Sequence, residues 1–278
     1  MAVRMILALC LLALLVPTGQ PPGAWRSLAP GMDLGVFSAA RPSPVGDSRI
    51  TVLRIDPARW DLELVGQSRS GEAGGRTAKQ WSAAHHLTAA INAGMFAADN
   101  KTHVGYMRAG HHVNNGRVNE YQSVAAFDPR RKGLRRFRIF DLDAPGITIP
   151  AILEDYASAV QNLRLIKRPG LNRWSQQEKR WSEAALGEDG QGRVLFIFSR
   201  SPFSMHDLSR ELLSLGIGLV SAQHLEGGPE AQLYLHVGDF ERELYGSFET
   251  TFREDDGNAL PWPVPNVLGV RPRSAAGK

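Results

Sequence analysis

The sequence predicts an α+β fold in a single domain: a mixed, largely antiparallel sheet with a few packed helices. Three observations carry this. Short apolar runs recur in neighbouring pairs separated by turn residues, as antiparallel strands do; helical periodicity is confined to a few short segments; and the C-terminal half runs strand, helix, strand, turn, strand. The 278 residues suffice for one large domain with a substantial core, and a hydrophobic fraction of 43% excludes a disordered or fibrous chain.

Residues 49–55 and 60–65 read as two strands joined at Asp56-Pro57, which predicts a hairpin. A polar, glycine-bearing loop follows over 67–75, and Thr77 caps a short helix running through 81–86. Residues 88–92 form a short buried strand that breaks at Ala93-Gly94, and 106–113 a hairpin with Ala109-Gly110 at its tip. The strands 123–127 and 137–140 flank the basic cluster from Arg130 to Arg136, with Asp128-Pro129 opening the turn. A helix is expected over 151–160 and a strand over 163–166, ended by Pro169-Gly170. The tract 172–182, with Trp174 and Trp181 among many charges, is expected as an exposed loop or helix near a ligand groove, the alternative being that both indoles pack on the core.

From residue 182 onward the signal sharpens. A strand over 184–187 leads through the turn 188–192 into a strand over 193–198. Ser204 with Asp207 resembles a capping box for a helix over 205–215, whose Met205, Leu208, Leu212 and Leu215 make one apolar stripe before Gly216 and Gly218 stop it. The strand 219–225 then enters the turn Leu225-Glu226-Gly227-Gly228-Pro229-Glu230, and 231–237 leaves it.

That turn is the strongest chemical feature of the chain. If it closes a three-residue hairpin loop, Glu226 and Glu230 face each other with Cβ atoms about 5 Å apart. Like charges so placed destabilise a sheet unless they share a proton, gain a partner or serve a function, and carboxylates with separated pKa values are the raw material of acid and base chemistry.

The net charge of +4 and a pI near 9.4 favour anionic surroundings such as phosphate esters. Nucleic acid is not expected, because no interleaved aromatics accompany the basic cluster, which reads as a solvated hairpin tip. The adjacent pairs His85-His86 and His111-His112 would point to opposite faces of a strand, and no metal-ligand spacing occurs, so no metal and no cofactor is expected. Arg4 precedes an apolar run over 5–16 that ends in a Pro/Gly stretch: the pattern of a signal peptide, too short for a membrane span of roughly 20 residues. Residues 1–23 are therefore expected as leader and lead-in and 24–278 as the domain. The product is expected to be secreted or periplasmic, without a stable span after processing. Cys10, the sole cysteine, lies within the leader.

Several stretches, in order, resemble the phosphodiester glycosidase family. Asn92-Ala93-Gly94-Met95-Phe96 looks like its Asn-Gly-Gly-Phe-Phe, and the region through Gly105 and Gly110 is similar to its following loop and hairpin. Ala184-Ala185-Leu186-Gly187 with Asp189 and Gly192 looks like its Thr-Ala-Ile-Gly-x-Asp-x-x-Gly; Leu225-Glu226-Gly227-Gly228 is similar to its Leu-Asp-Gly-Gly; and 264–270 is similar to its closing strand. The resemblance implies a phosphodiester-glycosidase-like domain that hydrolyses a sugar 1-phosphodiester, or another phosphorylated glycan, at the sugar C1–O bond. On this reading Glu226 is expected as base or nucleophile and Glu230 as acid or orienting partner, with Asp189 beside them as catalytic. Substrate contacts fall to Asn92, Gly94, Phe96, His103, His224 and the Gly227 and Gly228 amides. Three departures stand out: Glu226 replaces the usual aspartate, Pro229-Glu230-Ala231 replaces a small Gly-Ser-Ser, and Glu183 stands where family members often carry arginine. The rival expectation is a non-catalytic glycan-binding envelope protein with the same fold.

Overall fold

The computed structural model describes residues 25–273, so the expected leader lies outside the described residues. The strands form three sheets, and every pairing between the named strands is antiparallel. The first sheet runs, in spatial order, β1 (Trp25–Ala29), β2 (Met32–Ser38), β3 (Arg49–Ile55), β13 (Val194–Phe203), β12 (Trp181–Asp189), β14 (Leu219–Gly227) and β11 (Arg164–Ile166). The second runs β7 (His112–Asn115), β6 (Met107–Ala109), β10 (Tyr156–Asn162), β8 (Ser123–Pro129) and β9 (Phe137–Asp141). The third runs β16 (Phe240–Tyr245), β15 (Gln232–Val237), β5 (Ala89–Asn92), β17 (Asn266–Pro272) and β4 (Trp60–Gly66).

One apolar cluster joins the inner faces of all three sheets, with Leu53, Phe196 and Leu225 from the first, Phe127, Ile139 and Val160 from the second, and Leu64, Ile91 and Leu233 from the third. A helix covers the outer face of each. On the third sheet α2 (Ala78–His85) buries Trp81 against Ala90, Tyr234 and Val267; on the second, α3 (Ile149–Asp155) sets Ile149 and Ile152 against Val124, Ala126 and Ala159; on the first, α4 (Met205–Ser214) lays Met205, Leu208 and Leu212 on Ile50, Val52 and Ile197. With both faces covered, central strands such as β12 and β13 are buried almost continuously instead of alternating. Two helix starts were legible. Thr77 and Gln80 form a reciprocal capping box, and the Ser204 hydroxyl accepts from Asp207 N at 3.1 Å.

The topology corrects several expectations. Residues 49–55 and 60–65 are not a hairpin: β3 pairs with β2 and β13, β4 pairs with β17, and the Asp56 turn carries the chain from one sheet to another. Leu53 and Ile55 on one side and Leu62 and Leu64 on the other then meet in the shared core, which buries both apolar sets at once. The helix expected over 151–160 stops at Asp155, and Tyr156–Asn162 is a strand held between β8 and β6. Ladder bonds on both sides override the local helical preference there. Within the expected loop 67–75 the first residues form a single helical turn, α1 (Gln67–Ser70). Most consequentially, β14 and β15 lie in different sheets, so the two-glutamate bend is a crossing between sheets and not a hairpin tip. Gly228–Glu230 makes one 3-10 turn on the way.

Candidate active site

The site forms where β12 and β14 run side by side at one end of the first sheet. Glu183 pairs with Gly227 and Ala184 with Glu226, but Ala185 pairs with His224, so Leu225 is an extra residue in a bulge. Bulges re-aim side chains. Ala184 and Leu225 point into the inner core while Ala185 and Ala222 belong to the outer one, so Glu183, His224 and Glu226 leave the sheet on the outer side.

Glu183 is buried, and its two oxygens are held separately: Oε1 lies 2.7 Å from His224 Nδ1, and Oε2 accepts from the Trp181 indole N–H at 2.7 Å. The Trp181 and His224 rings also meet edge to face, with centroids 6.0 Å apart. Burial pushes the Glu183 carboxyl upward, opposed by its imidazole and indole partners. Burial works against a charge on His224 too, yet the charge and hydrogen bond of Glu183, joined by the charges of Glu226 and Glu249, outweigh it and raise the imidazole above its ordinary value. Nδ1 faces Glu183, so Nε2 is the ring atom left to act.

Glu226 is raised well above the ordinary carboxyl range. Burial, opposed by His224 and by the Gly227 N–H that donates to Oε1 at 3.1 Å, and aided by the charges of Glu230 and Glu249, pushes it up to about 8. Burial raises Glu230 and Glu249 as well, and Glu249 adds to the rise at Glu230. A carboxyl pushed up this far, beside an imidazole raised by neighbouring acids, supplies the raw material for acid and base roles.

The turn is clamped so that these groups converge. Asn92, at the end of β5, donates from Nδ2 to Glu230 O at 2.9 Å and accepts from Gln232 N at 2.6 Å, tying the third sheet to the bend. Gly228 has φ +63, and a Cβ there would stand 2.6 Å from a Glu249 carboxylate oxygen; a Cβ on Gly227 would stand 2.7 Å from the Trp181 ring. Both glycines therefore admit close neighbours. The Gly227 amide donates to the side chain of Glu226, so it is not the open substrate contact expected from the sequence.

Other expected site residues hold the fold instead. Asp189 caps its own turn, accepting from Gln191 N and Arg193 N at 2.9 Å each and pairing with Arg193 Nε at 2.6 Å. It lies six residues along β12 from Glu183, roughly 20 Å at about 3.3 Å per residue, and does not join the cluster. His103 is fully buried, with Nε2 2.7 Å from Gln161 O, and burial lowers it to about 4, so it offers substrate no surface. Gly94 has φ +139 and is wedged against Asn162 and His103, where a Cβ would lie within 2.2 and 2.4 Å of them. Phe96 packs beside the Trp81 cluster and forms a bridge with His103. Asn92 positions Glu230 through the carboxamide that was expected to meet substrate.

Sequence reasoning noted Glu183 as a departure from the family and Trp181 near a ligand groove without placing either in the site, and it missed Glu249. A glutamate inside the apolar run 182–186 was a signal for Glu183; Glu249 lies in a loop and carried none. Among the described residues no group of His, Cys, Asp and Glu side chains is placed to hold a metal ion, and no helix is long and apolar enough to cross a membrane.

Three antiparallel sheets surround one core, and an acid-rich, histidine-bearing site lies at a glycine turn between two of them. Residues 85–271 match the phosphodiester glycosidase family, and the chain belongs to that family. Its fold is similar to that of the catalytic domain of zebrafish N-acetylglucosamine-1-phosphodiester alpha-N-acetylglucosaminidase, auto-inhibited by its pro-peptide, at a TM-score of 0.60 and 13% identity over 89% of this chain and 86% of that one. A hypothetical protein from Synechocystis is similar at a TM-score of 0.62 and 14% identity, over 91% of this chain and 64% of that one. No curated protein sequence matches.

Proposed function

We propose that this protein is an exported hydrolase that cleaves a sugar 1-phosphodiester at the C1–O bond. The observation that carries the reading is the bulged strand end that brings Glu226 beside His224, whose Nδ1 lies 2.7 Å from buried Glu183 Oε1, with burial pushing Glu226 up to about 8. Water adds hydroxide to C1, and the electrons of the broken bond and one proton go to the departing phosphate monoester. A phosphate leaving group needs charge stabilisation more than protonation. His224, with Glu183 behind it, supplies that positive charge, and the neutral Glu226 carboxyl donates a hydrogen bond or proton to a phosphate oxygen. These roles exchange those first inferred from the sequence, because a carboxyl held at about 8 is an acid at neutral pH and a poor base. The group that activates water, or attacks C1, is then the second glutamate of the turn, Glu230, whose backbone Asn92 fixes.

Hydrolysis of an N-acetylglucosamine 1-phosphodiester in oxygen-18 water tests this. Label in the sugar is the expected outcome; label in the phosphate indicates P–O cleavage and overturns the assignment. Equal turnover by the wild type, Glu226→Gln and Glu230→Gln would sink the roles of both glutamates, and binding without turnover would favour a glycan-binding protein. Export rests on the N-terminal apolar segment, and finding the full-length protein unprocessed in the cytoplasm of an expressing bacterium would remove it.

A further inference from the structure

One carboxylate of the acid cluster is fixed by no partner of its own. Among the described residues the Glu249 side chain has neither a hydrogen bond nor an ion pair, yet its carboxylate stands so close to Gly228 that a Cβ there would come within 2.6 Å of it. Its place is therefore set by the backbone that carries it. That backbone is a strap, residues 246–258, between β16 and β17.

The strap is fastened at three levels. Around Glu249 the chain closes a tight turn, in which Glu249 N donates to Arg253 O at 2.7 Å and Arg253 N donates to Glu249 O at 2.9 Å. Next to the turn, buried Ser182 on β12 takes hold of the strap: its N–H donates to Phe248 O at 2.8 Å, and its hydroxyl accepts from Ser247 N at 2.9 Å and Phe248 N at 3.1 Å. The same hydroxyl donates to Arg200 O at 2.6 Å, which fixes its orientation. At the base, the Arg200 side chain gathers both ends of the strap. Its guanidinium donates to Tyr245 O, Asp256 O and Asn258 O at 2.9 Å each, and from Nε to Asp256 Oδ1 at 2.5 Å. Asn258 closes the base by donating from Nδ2 to Gly246 O at 2.7 Å. Gly246 in turn lies on the glutamate bend, with its N–H bonded to Ala231 O at 2.8 Å and a Cβ there 2.0 Å from Gly228 O.

Four acceptors in fixed directions suit a planar fork of five N–H donors, which only arginine carries. Arg200 is not itself part of the site. It lies on β13, two strands away from His224 on β14, about 10 Å at about 4.8 Å per strand, and its guanidinium is engaged by the strap. We propose that Arg200 is a positioning residue, which latches the strap so that the Glu249 carboxylate stands against Gly228 within the acid cluster. The charged groups facing the His224 ring are Glu183 on β12, Glu226 on its own strand and Glu249 on the strap, and all three raise the imidazole. A strap that swings away removes the last of these and leaves the two sheet residues in place. The consequence for turnover rests on the function proposed above; the placement of Glu249 does not.

NMR titration of the His224 ring reads that placement without substrate. Arg200→Lys keeps a cation for Asp256 but cannot bridge three carbonyls, and it is expected to lower the His224 pKa to where Glu249→Gln puts it. The double variant is expected to go no lower, because both changes remove one interaction. Asp189→Asn, which loses an ion pair at the far end of β12, is expected to leave the ring unmoved and so separates positioning from lost stability. Asp256→Ala loosens the same latch at an exposed position and takes the place of Arg200→Lys if that variant does not fold. An unmoved ring in the latch variant, a shift that adds to that of Glu249→Gln, or an equal shift in Asp189→Asn overturns the positioning role. With an N-acetylglucosamine 1-phosphodiester, Arg200→Lys is expected to cut kcat about three- to tenfold with KM within about twofold. If no diester is turned over while the ring titrates as expected, the proposed reaction falls and the latch stands; turnover with an unmoved ring does the reverse.

Discussion

The Glu183 carboxylate bridges His224 and Trp181, with Oε1 2.7 Å from the imidazole Nδ1 and Oε2 2.7 Å from the indole nitrogen. An acid buried in an apolar strand is thereby made into the support of a cation. Glu183→Gln keeps the shape and removes the charge. It is expected to lower the His224 pKa, read by NMR titration of the ring, and to cut turnover by roughly 100- to 1,000-fold, the range of a lost acid–base partner. An unchanged His224 titration would show that Glu183 does not support the imidazolium.

Glu226 titrates at about 8 in the folded protein against an ordinary 4.5, so the folded state holds a proton that the unfolded chain releases. The sign follows: its contribution to stability is complete below about pH 4.5 and is lost as pH rises toward 8. Glu226→Gln is expected to flatten the fall in Tm between pH 5 and 8. If the fall has the same slope in both proteins, the carboxyl is not held protonated. In the wild type, turnover is expected to decline above pH 8 as the acid is lost.

His103 acts in the opposite direction. Burial lowers it to about 4 from 6.5, so the folded state requires the neutral ring, and stability present above pH 6.5 is lost as pH falls toward 4. At about 1.4 kcal/mol per pKa unit the limit of this contribution is about 3 kcal/mol. Chemical denaturation at pH 7 and pH 4.5, with wild type and His103→Gln, checks it. The acid-side loss should shrink in the variant even if the variant is less stable at pH 7.

Asp189→Asn separates the remote turn from the site. Losing the pairing with Arg193 is expected to cost about 1–3 kcal/mol in denaturant unfolding, while turnover per folded molecule stays within about twofold of the wild type. A large loss of turnover in a protein of unchanged stability would return Asp189 to the catalytic group.

Gly228→Ala tests the clamp on the acid cluster. A Cβ at φ +63 and 2.6 Å from the Glu249 carboxylate strains the turn and displaces that side chain. A stability loss on the order of 1–3 kcal/mol is expected, together with reduced turnover. Undiminished activity would mean that Glu249 need not stand against the turn.

Much of the fold was legible where the signal was local. Thr77 and Gln80 announced α2, Ser204 and the Met205, Leu208, Leu212 stripe announced α4, and the strands on either side of the basic cluster pair as expected. Partnership was less legible. Asp56-Pro57 reads as a hairpin turn whether the next strand returns to the same sheet or crosses to another, and 156–162 reads as helix until β6 and β8 claim it.

The sequence by itself determined the family pieces in their order, the sharp bend at Gly227-Gly228-Pro229 and the two glutamates beside it, because glycine, proline and a carboxylate carry their conformational and chemical character wherever they stand. Only the tertiary structure decided what those glutamates are. By sending β14 and β15 to different sheets it turned a supposed face-to-face pair into a crossing point, and by inserting Leu225 as a bulge it set His224 against Glu183. It also gathered Glu249 from more than 20 positions away, beside Gly228. Proton affinity depends on burial and on neighbouring charge, and neither belongs to a residue until the chain has folded.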